Sequence, residues 1–348
     1  MILFLNNNAS IVEIEKLKDR LQFMGFESTI DIDNSRKVIA VVNGLDDSVC
    51  IKQFEALPLV EKVTVFKDKF KLVGRDIRQK KTIIDVKGVK FGDDSFVVMA
   101  GPCSIESEAQ IFEIAKQVSA SGAAVLRGGA FKPRTSPYDF QGLGEAGLQY
   151  LRQAADYHGL LCISEVMSIE DIPLVEKYVD IIQIGSRNMQ NFSLLKAVGK
   201  TSKPVMLKRG LSATYKEFLS AAEYIISSGN PNVLLCERGI RTFETYSRNT
   251  LDLAAVPIIR ELTHLPIIID PSHGVGIRSA IPAMANAAIA VKADGLMVEV
   301  HTNPDASISD AAQTICPSTF SDIMHVIQKI GDAVGLHVTK GTLNDVSN

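Results

Sequence analysis

From Phe96 onward the sequence repeats one unit eight times, an apolar run followed by an amphipathic stretch of helix length. The runs are FVVMAG, AAVLRG, LLCISE, DIIQIG, PVMLK, NVLLCE, LPIIID and GLMVEV. Nearly continuous apolar runs are typical of parallel strands that are buried on both faces. A strand and a helix that alternate eight times predict a (β/α)8 TIM barrel, which we assign to residues 96–340.

The first 70 residues show a different order of elements. Strand-like and helix-like patterns follow one another as βαββαβ, with Ser10 as the predicted N-cap of the first helix, and this order predicts a ferredoxin-like domain. The segment contains no histidine and no glycine-rich phosphate loop. A packing or oligomerisation module and a small-molecule regulatory module are therefore both open. Residues 71–95 are predicted to be a linker with a small β-hairpin that turns at Lys87 and Gly88.

Composition excludes several classes of partner. The net charge of −3 provides no general basic field for nucleic acid or an anionic membrane. We find no signal-peptide pattern and no apolar run of about 18 residues that could span a bilayer, so a cytoplasmic protein is expected. Five cysteines, an odd number without a CxxC pair, favour a reducing compartment over a disulfide framework.

Many cationic residues fall at the carboxyl ends of the predicted strands, where barrel enzymes build their sites. They are Arg127, Lys132, Arg134, Arg187, Lys208, Arg209, Arg238 and Arg241. Cations gathered at one mouth repel one another unless anions bind there, so we expect more than one phosphate or carboxylate in the pocket. Salt bridges to Glu165, Glu237 or Asp270 are the alternative for each of them. For the loop VLRGGAFKPRTS, a solvated basic loop is the alternative.

A second set of residues at the strand ends has the chemistry of a metal site: Cys103, His273, Glu299 and Asp310. Thiolate, imidazole and carboxylate ligands favour Zn²⁺, Fe²⁺, Co²⁺ or Mn²⁺ over Mg²⁺. The residues form no local motif, and a cysteine after an apolar run is often a small core residue. His301 and Glu106 are alternative ligands.

Taken together, the motifs resemble those of the 3-deoxy-D-arabino-heptulosonate 7-phosphate (DAHP) synthases. The resemblance spans about Phe96 to Ile330 and rests on GPCSIES, LRGGAFKPRTSPY, QIGSRN, LKRG, CERGIRTFE, DPSHGVG and VEVH. It implies a metal-dependent, aldol-like condensation of phosphoenolpyruvate with erythrose 4-phosphate, in a homotetramer. It also implies that the N-terminal extension closes over the barrel mouth when tyrosine or phenylalanine binds.

The same group contains the 3-deoxy-D-manno-octulosonate 8-phosphate (KDO8P) synthases, which use arabinose 5-phosphate. Pro133 in KPRTS resembles the DAHP synthases, because KDO8P synthases usually carry an Ala-Asn-Arg version of that loop. A KDO8P synthase is the alternative activity. A non-catalytic sensor of phosphometabolites is a third reading, although a sensor would not need all four metal-ligand matches.

The resemblance implies a role for each matching residue. The divalent metal, Mn²⁺ or else Fe²⁺, Co²⁺ or Zn²⁺, would be held by Cys103, His273, Glu299 and Asp310. The carboxylate of phosphoenolpyruvate would lie near Arg127 and Lys132, and its phosphate near Ser186, Arg187, Lys208 and Arg238. Erythrose 4-phosphate would be held by Lys132, Pro133, Arg134, Thr135 and Ser136. Lys132 is the expected acid, and Glu165 or a metal-bound water is the expected base.

Overall fold

The computed structural model of the 348-residue chain describes residues 1–32, 36–43, 51–66, 69–132, 138 and 140–341. The chain divides into two compact units. One comprises residues 1–80 with 262–264, and the other comprises residues 81–261 and the chain from Leu265 onward.

The N-terminal unit contains a four-stranded antiparallel sheet and two helices, in the order β1 (Ile2–Leu5), α1 (Ile11–Phe23), β2 (Glu27–Ile32), β3 (Lys37–Asn43), α2 (Ile51–Glu55) and β4 (Val60–Thr64). The strand order is β2-β3-β1-β4, which confirms the predicted ferredoxin-like fold. Ser10 is the N-cap of helix α1, and its side chain accepts a hydrogen bond from the backbone N–H of Glu13 in a capping box. Its buried residues Ile14, Leu17 and Leu21 recur at helical spacing and join the buried cluster of this unit.

The second unit contains a closed parallel barrel, as predicted. Its strands are β7 (Ser95–Gly101), β8 (Val125–Arg127), β9 (Leu161–Val166), β10 (Ile181–Ile184), β11 (Val205–Lys208), β12 (Val233–Glu237), β13 (Ile267–Ile269) and β14 (Gly295–Glu299). They pair in chain order, and β14 pairs with β7 to close the barrel. A further strand, β15 (His337–Thr339), pairs with the start of β7.

Helices connect the strands: α3 (Glu108–Ala120), α4 (Glu145–Tyr157), α5 (Ile172–Tyr178), α6 (Phe192–Val198), α7 (Tyr215–Ser227), α8 (Ala255–Leu262), α9 (Pro271–Val275), α10 (Ile281–Ala290) and α11 (Pro317–Val334). Among the residues described, no helix combines the length and the apolar character needed to cross a membrane.

A hairpin precedes the barrel and is formed by β5 (Ile84–Val86) and β6 (Val89–Phe91). Lys87 and Gly88 both have positive φ, the backbone of a tight two-residue hairpin turn. The apolar side chains of both hairpin strands belong to one buried cluster with residues from the first positions of the barrel strands, such as Leu161 and Ile181. The hairpin therefore covers the amino-terminal end of the barrel, and polar residues collect at the opposite end.

Candidate active site

The carboxyl ends of the barrel strands surround a pocket of about 240 Å³. Its lining includes most of the residues for which the sequence predicted a role: Cys103, Arg127, Lys132, Glu165, Ser186, Arg187, Lys208, Arg238, His273 and Asp310. Glu299, at the end of β14, is fully buried beside Arg127. The predictions for Pro133, Arg134, Thr135 and Ser136 lie outside the described residues.

Four predicted ligands come together on one side of this pocket. The ligand atoms of Cys103, Glu299 and Asp310 all lie within 4.8 Å of one another. His273 Nε2 lies 3.3 Å from Glu299 Oε1 and 3.6 Å from Asp310 Oδ2. One thiol, one imidazole and two carboxylates are a donor set that suits a divalent ion of the zinc, iron, cobalt or manganese type. These residues could therefore hold a metal ion, and we name them the four-ligand group.

The two alternative ligands, His301 and Glu106, lie with each other instead. His301 Nε2 is 3.4 Å from Glu106 Oε2, and His301 Nδ1 accepts from the backbone N–H of Asn303. Glu106 Oε1 accepts from the backbone N–H of Ile308 at 2.9 Å. The pair thus holds the loop that leads to Asp310.

Burial and neighbouring charges together determine the direction in which the pKa values of Cys103 and Glu299 shift. Burial, followed by the charge of Glu299, raises the pKa of the Cys103 thiol to about 11, so without a metal the thiol is protonated at neutral pH. In keeping with this, its Sγ donates to Asp310 Oδ2 at 3.4 Å. Burial would also raise the pKa of Glu299, but His273 and Arg127 outweigh it and lower that pKa.

Asp270 links the four-ligand group to the cationic side of the pocket. Its Oδ2 accepts from His273 Nδ1 at 2.8 Å and from Lys208 Nζ at 2.5 Å, and its Oδ1 accepts from the backbone N–H of His273 at 3.0 Å. If His273 is neutral with its Nδ1 proton on this carboxylate, its Nε2 lone pair faces the side of Glu299 and Asp310, as a metal ligand requires. From the sequence, Asp270 was expected only as a salt-bridge partner. Its position three residues before His273 could have indicated that it contacts this histidine.

The cations of the pocket are not all balanced. Arg127 Nη1 donates to Glu299 Oε1 at 2.8 Å, whereas Arg127 Nε and Arg238 Nη1 are buried without a hydrogen-bond partner among the described residues. Burial lowers the pKa of the Arg238 guanidinium, and Arg248 lowers it further, although nearby Asp270 raises it. Unsatisfied guanidinium donors next to a cavity are the arrangement that an anionic ligand completes.

Arg209 does not join the other cations, contrary to the expectation from its position. Its Nη1 donates to Glu237 Oε2 and to Asp252 Oδ2, both at 2.8 Å, and it does not line the pocket. Conversely, Arg248 lines the pocket and was missed because it lies in the loop after β12, away from a strand end. Arg241, which was expected at the mouth, lines it too.

Lys132 and Glu165 both line the pocket but have different neighbours. Lys132 Nζ donates to the backbone carbonyl of Cys103 and lies 3.1 Å from its Sγ, so it borders the four-ligand group. Glu165 Oε2 accepts from Gln183 Nε2 at 3.2 Å. A Cβ at residue 185 would lie 2.0 Å from Glu165 Oε1. Glycine at this position therefore avoids a clash with the Glu165 carboxylate.

The architecture agrees with what the chain is similar to. Residues 77–335 match the DAHP synthetase I family. The chain belongs to this family. The prediction, made from the resemblance, of an enzyme of the DAHP synthase type is therefore confirmed.

Individual relatives match the chain over different lengths. The phospho-2-dehydro-3-deoxyheptonate aldolase of Thermotoga maritima is 46% identical over 338 residues, 97% of this chain and 100% of the relative. The crystal structure of that organism's DAHP synthase superimposes with a TM-score of 0.78 at 46% identity, over 97% of this chain and 99% of the other. The 2-dehydro-3-deoxyphosphooctonate aldolase of Syntrophotalea carbinolica is 31% identical over 251 residues, 67% of this chain and 90% of the relative.

Proposed function

We propose that the chain condenses phosphoenolpyruvate with erythrose 4-phosphate to give DAHP and phosphate, the first step of the shikimate pathway to the aromatic amino acids. One observation carries this proposal. A single pocket joins a group of ligands fit for a metal to cations that include two buried donors, Arg127 Nε and Arg238 Nη1, without a partner among the described residues. Two phosphorylated substrates would supply the anions that these cations require.

A divalent metal would be held by Cys103, His273, Glu299 and Asp310, and Mn²⁺, Fe²⁺, Co²⁺ or Zn²⁺ suits this donor set. When bound, the metal supplies Lewis acidity toward the aldehyde oxygen of erythrose 4-phosphate. The protein's part is to keep the His273 tautomer fixed through Asp270 and to keep Glu299 ionised beside Arg127.

The cations would bind and orient phosphoenolpyruvate. Arg127 and Lys132 would hold its carboxylate, and Arg127 Nε is a buried donor still available for it. Its phosphate would be bound by Ser186, Arg187, Lys208 and Arg238. Fixing both ends of this small molecule aims C3 at the aldehyde carbon and lowers the entropic part of the barrier. The Pro133–Ser136 segment would bind the phosphate of erythrose 4-phosphate.

The reaction forms a bond between C3 of phosphoenolpyruvate and the aldehyde carbon. Water adds at C2, and phosphate leaves with cleavage of its C–O bond. We assign Lys132 Nζ as the acid that donates a proton to the aldehyde oxygen, because it borders the four-ligand group and directly precedes Pro133 in the sequence. Glu165 lines the same pocket and is our assignment for the base that removes a proton from the attacking water.

A KDO8P synthase is the second possible activity, since curated relatives of that type match two thirds of the chain. The assay that separates the two offers phosphoenolpyruvate with erythrose 4-phosphate or with arabinose 5-phosphate and measures phosphate release. We expect turnover with erythrose 4-phosphate and little with arabinose 5-phosphate. The reverse preference would retain the scaffold and the pocket but refute the substrate assignment.

We further propose that residues 1–70 regulate a cytoplasmic homotetramer by binding tyrosine or phenylalanine. A truncated DAHP synthase from T. maritima, 47% identical and aligned with 78% of this chain, has a solved structure with a TM-score of 0.73. If residues 1–70 are the regulatory module, deleting them is expected to leave an active barrel that neither amino acid inhibits. Steady-state rates with and without each amino acid test this, and inhibition that persists in the deletion variant would disprove the regulatory role.

A further inference from the structure

We propose that Gln313 is a positioning residue that sets the geometry of two carboxylates in the four-ligand group. It lies in the short 3-10 turn Ala311–Gln313 and is 2% exposed. Its Nε2 donates to Glu299 Oε2 at 2.5 Å and to Asp310 Oδ2 at 3.3 Å. This inference rests on the proposed metal dependence, because both carboxylates are ligands in that proposal.

The partners of Gln313 determine which way its amide points. Glu299 and Asp310 are ionised and only accept hydrogen bonds, and the third partner, Arg248, only donates. Arg248 Nη1 donates to Gln313 Oε1 at 2.6 Å. A flipped amide would place its oxygen against the carboxylates and its NH₂ against the guanidinium, losing all three bonds. The side chain therefore has a single favourable orientation.

Because Gln313 binds one oxygen of Glu299, the two carboxylate oxygens have different partners. Oε2 is held by Gln313, while Oε1 accepts from Arg127 Nη1 and lies 3.3 Å from His273 Nε2. The backbone N–H of Glu299 also donates to Ser272 Oγ at 3.0 Å. These contacts hold the Glu299 side chain in one rotamer, with Oε1 toward His273.

Asp310 requires the same kind of support, because it sits on a loop. Its backbone has a φ of +55°, a left-handed conformation that a residue other than glycine seldom adopts. The donors of Gln313 and Cys103 reach its Oδ2, and Arg248 Nη1 lies 3.3 Å from its Oδ1. The amide thereby fixes a carboxylate that the loop alone would hold loosely.

A neutral donor is suited to this position. Two carboxylates brought this close repel one another, and a hydrogen-bond donor between them reduces that repulsion. A lysine there would reduce it more, but its positive charge would also oppose a metal cation. The carboxamide stabilises the carboxylate pair and leaves its negative charge for the metal.

The test is the binding of Co²⁺ to metal-free protein. The affinity comes from competition with a chromogenic chelator, and the thiolate-to-cobalt absorption reports whether Cys103 is a ligand. Gln313→Met keeps the size of the side chain and removes its donor, and we expect it to bind Co²⁺ about 10- to 100-fold more weakly with an altered absorption spectrum. Gln313→Asn keeps an amide that is too short to reach both carboxylates, and we expect a loss in the same direction.

One control variant and one comparison variant test whether the contact between Gln313 and the carboxylates is responsible. Gln328→Met makes the same substitution at a half-buried position of α11 and is expected to match the wild type. Arg248→Met removes the third partner of the amide and the cation 3.3 Å from Asp310 Oδ1, but it leaves both carboxylate contacts of Gln313, so we expect a smaller loss of Co²⁺ affinity than in the Gln313 variants. Thermal melting of each metal-free variant shows that it is folded.

The outcomes separate this inference from the function on which it rests. A wild-type affinity and spectrum in both Gln313 variants would overturn the positioning role and leave the metal site intact. A wild-type protein without a thiolate-to-cobalt band would overturn the metal site and this inference with it. Weaker binding in both Gln313 variants, with Gln328→Met unchanged, would support the inference.

Discussion

Lys132→Ala is expected to lower kcat for phosphoenolpyruvate and erythrose 4-phosphate by about 10²- to 10⁴-fold, the usual contribution of a positioned general acid. Lys132 Nζ lies 3.1 Å from Cys103 Sγ and lines the pocket, so its loss removes the only proton donor that we assign to the aldehyde oxygen. The measurement is the steady-state rate of phosphate release, with Lys116→Ala on an exposed face of α3 as the control. Near-normal turnover in Lys132→Ala would remove this residue from the mechanism.

Lys132→Arg separates proton donation from charge. Arginine keeps the positive charge that binds the phosphoenolpyruvate carboxylate, but its pKa is too high for it to give up a proton readily. We expect a KM for phosphoenolpyruvate closer to the wild-type value than in Lys132→Ala, together with a kcat that remains low. Recovery of kcat in the arginine variant would mean that charge, and not a proton, is what Lys132 provides.

Asp270→Asn is expected to weaken metal binding by about 10- to 100-fold and to raise the KM for phosphoenolpyruvate. One oxygen, Oδ2, now accepts from both His273 Nδ1 and Lys208 Nζ. An amide NH₂ in place of Oδ2 opposes both donors and favours the imidazole tautomer with its proton on Nε2, whose Nε2 cannot bind a metal. An amide NH₂ in place of Oδ1 instead opposes the backbone N–H of His273. Lys208 loses the carboxylate that aims it into the pocket.

Cobalt titration and the KM for phosphoenolpyruvate report the two effects of this substitution separately. Asp322→Asn, at an exposed position of α11, is the matched control. If both quantities stay at wild-type values in Asp270→Asn, Asp270 does not position either His273 or Lys208.

The barrel could be predicted because its strands are buried on both faces. Such strands appear in the sequence as nearly continuous apolar runs. The site was predictable to the extent that it lies at strand ends, since parallel strands bring their carboxyl ends to one mouth. Cys103 after β7, Lys208 at the end of β11 and Glu299 at the end of β14 follow this rule.

Residues whose position depends on loop conformation escaped the prediction. Gln313 reaches Glu299 because of a 3-10 turn and a left-handed Asp310, and neither leaves a periodic signal. Arg209 directly follows Lys208, and neighbouring residues of an extended chain point to opposite sides. Lys208 therefore lines the pocket, while Arg209 turns to Glu237 and Asp252, a difference that residue type alone does not reveal.

Phosphate release from phosphoenolpyruvate and erythrose 4-phosphate, measured before and after the metal is removed, tests the central claim most directly. The protein is treated with a chelator, shown to be metal-free, assayed, and assayed again after Mn²⁺ is added. We predict that activity falls to background without metal and returns on addition. Full activity in protein shown to contain no metal would contradict the account.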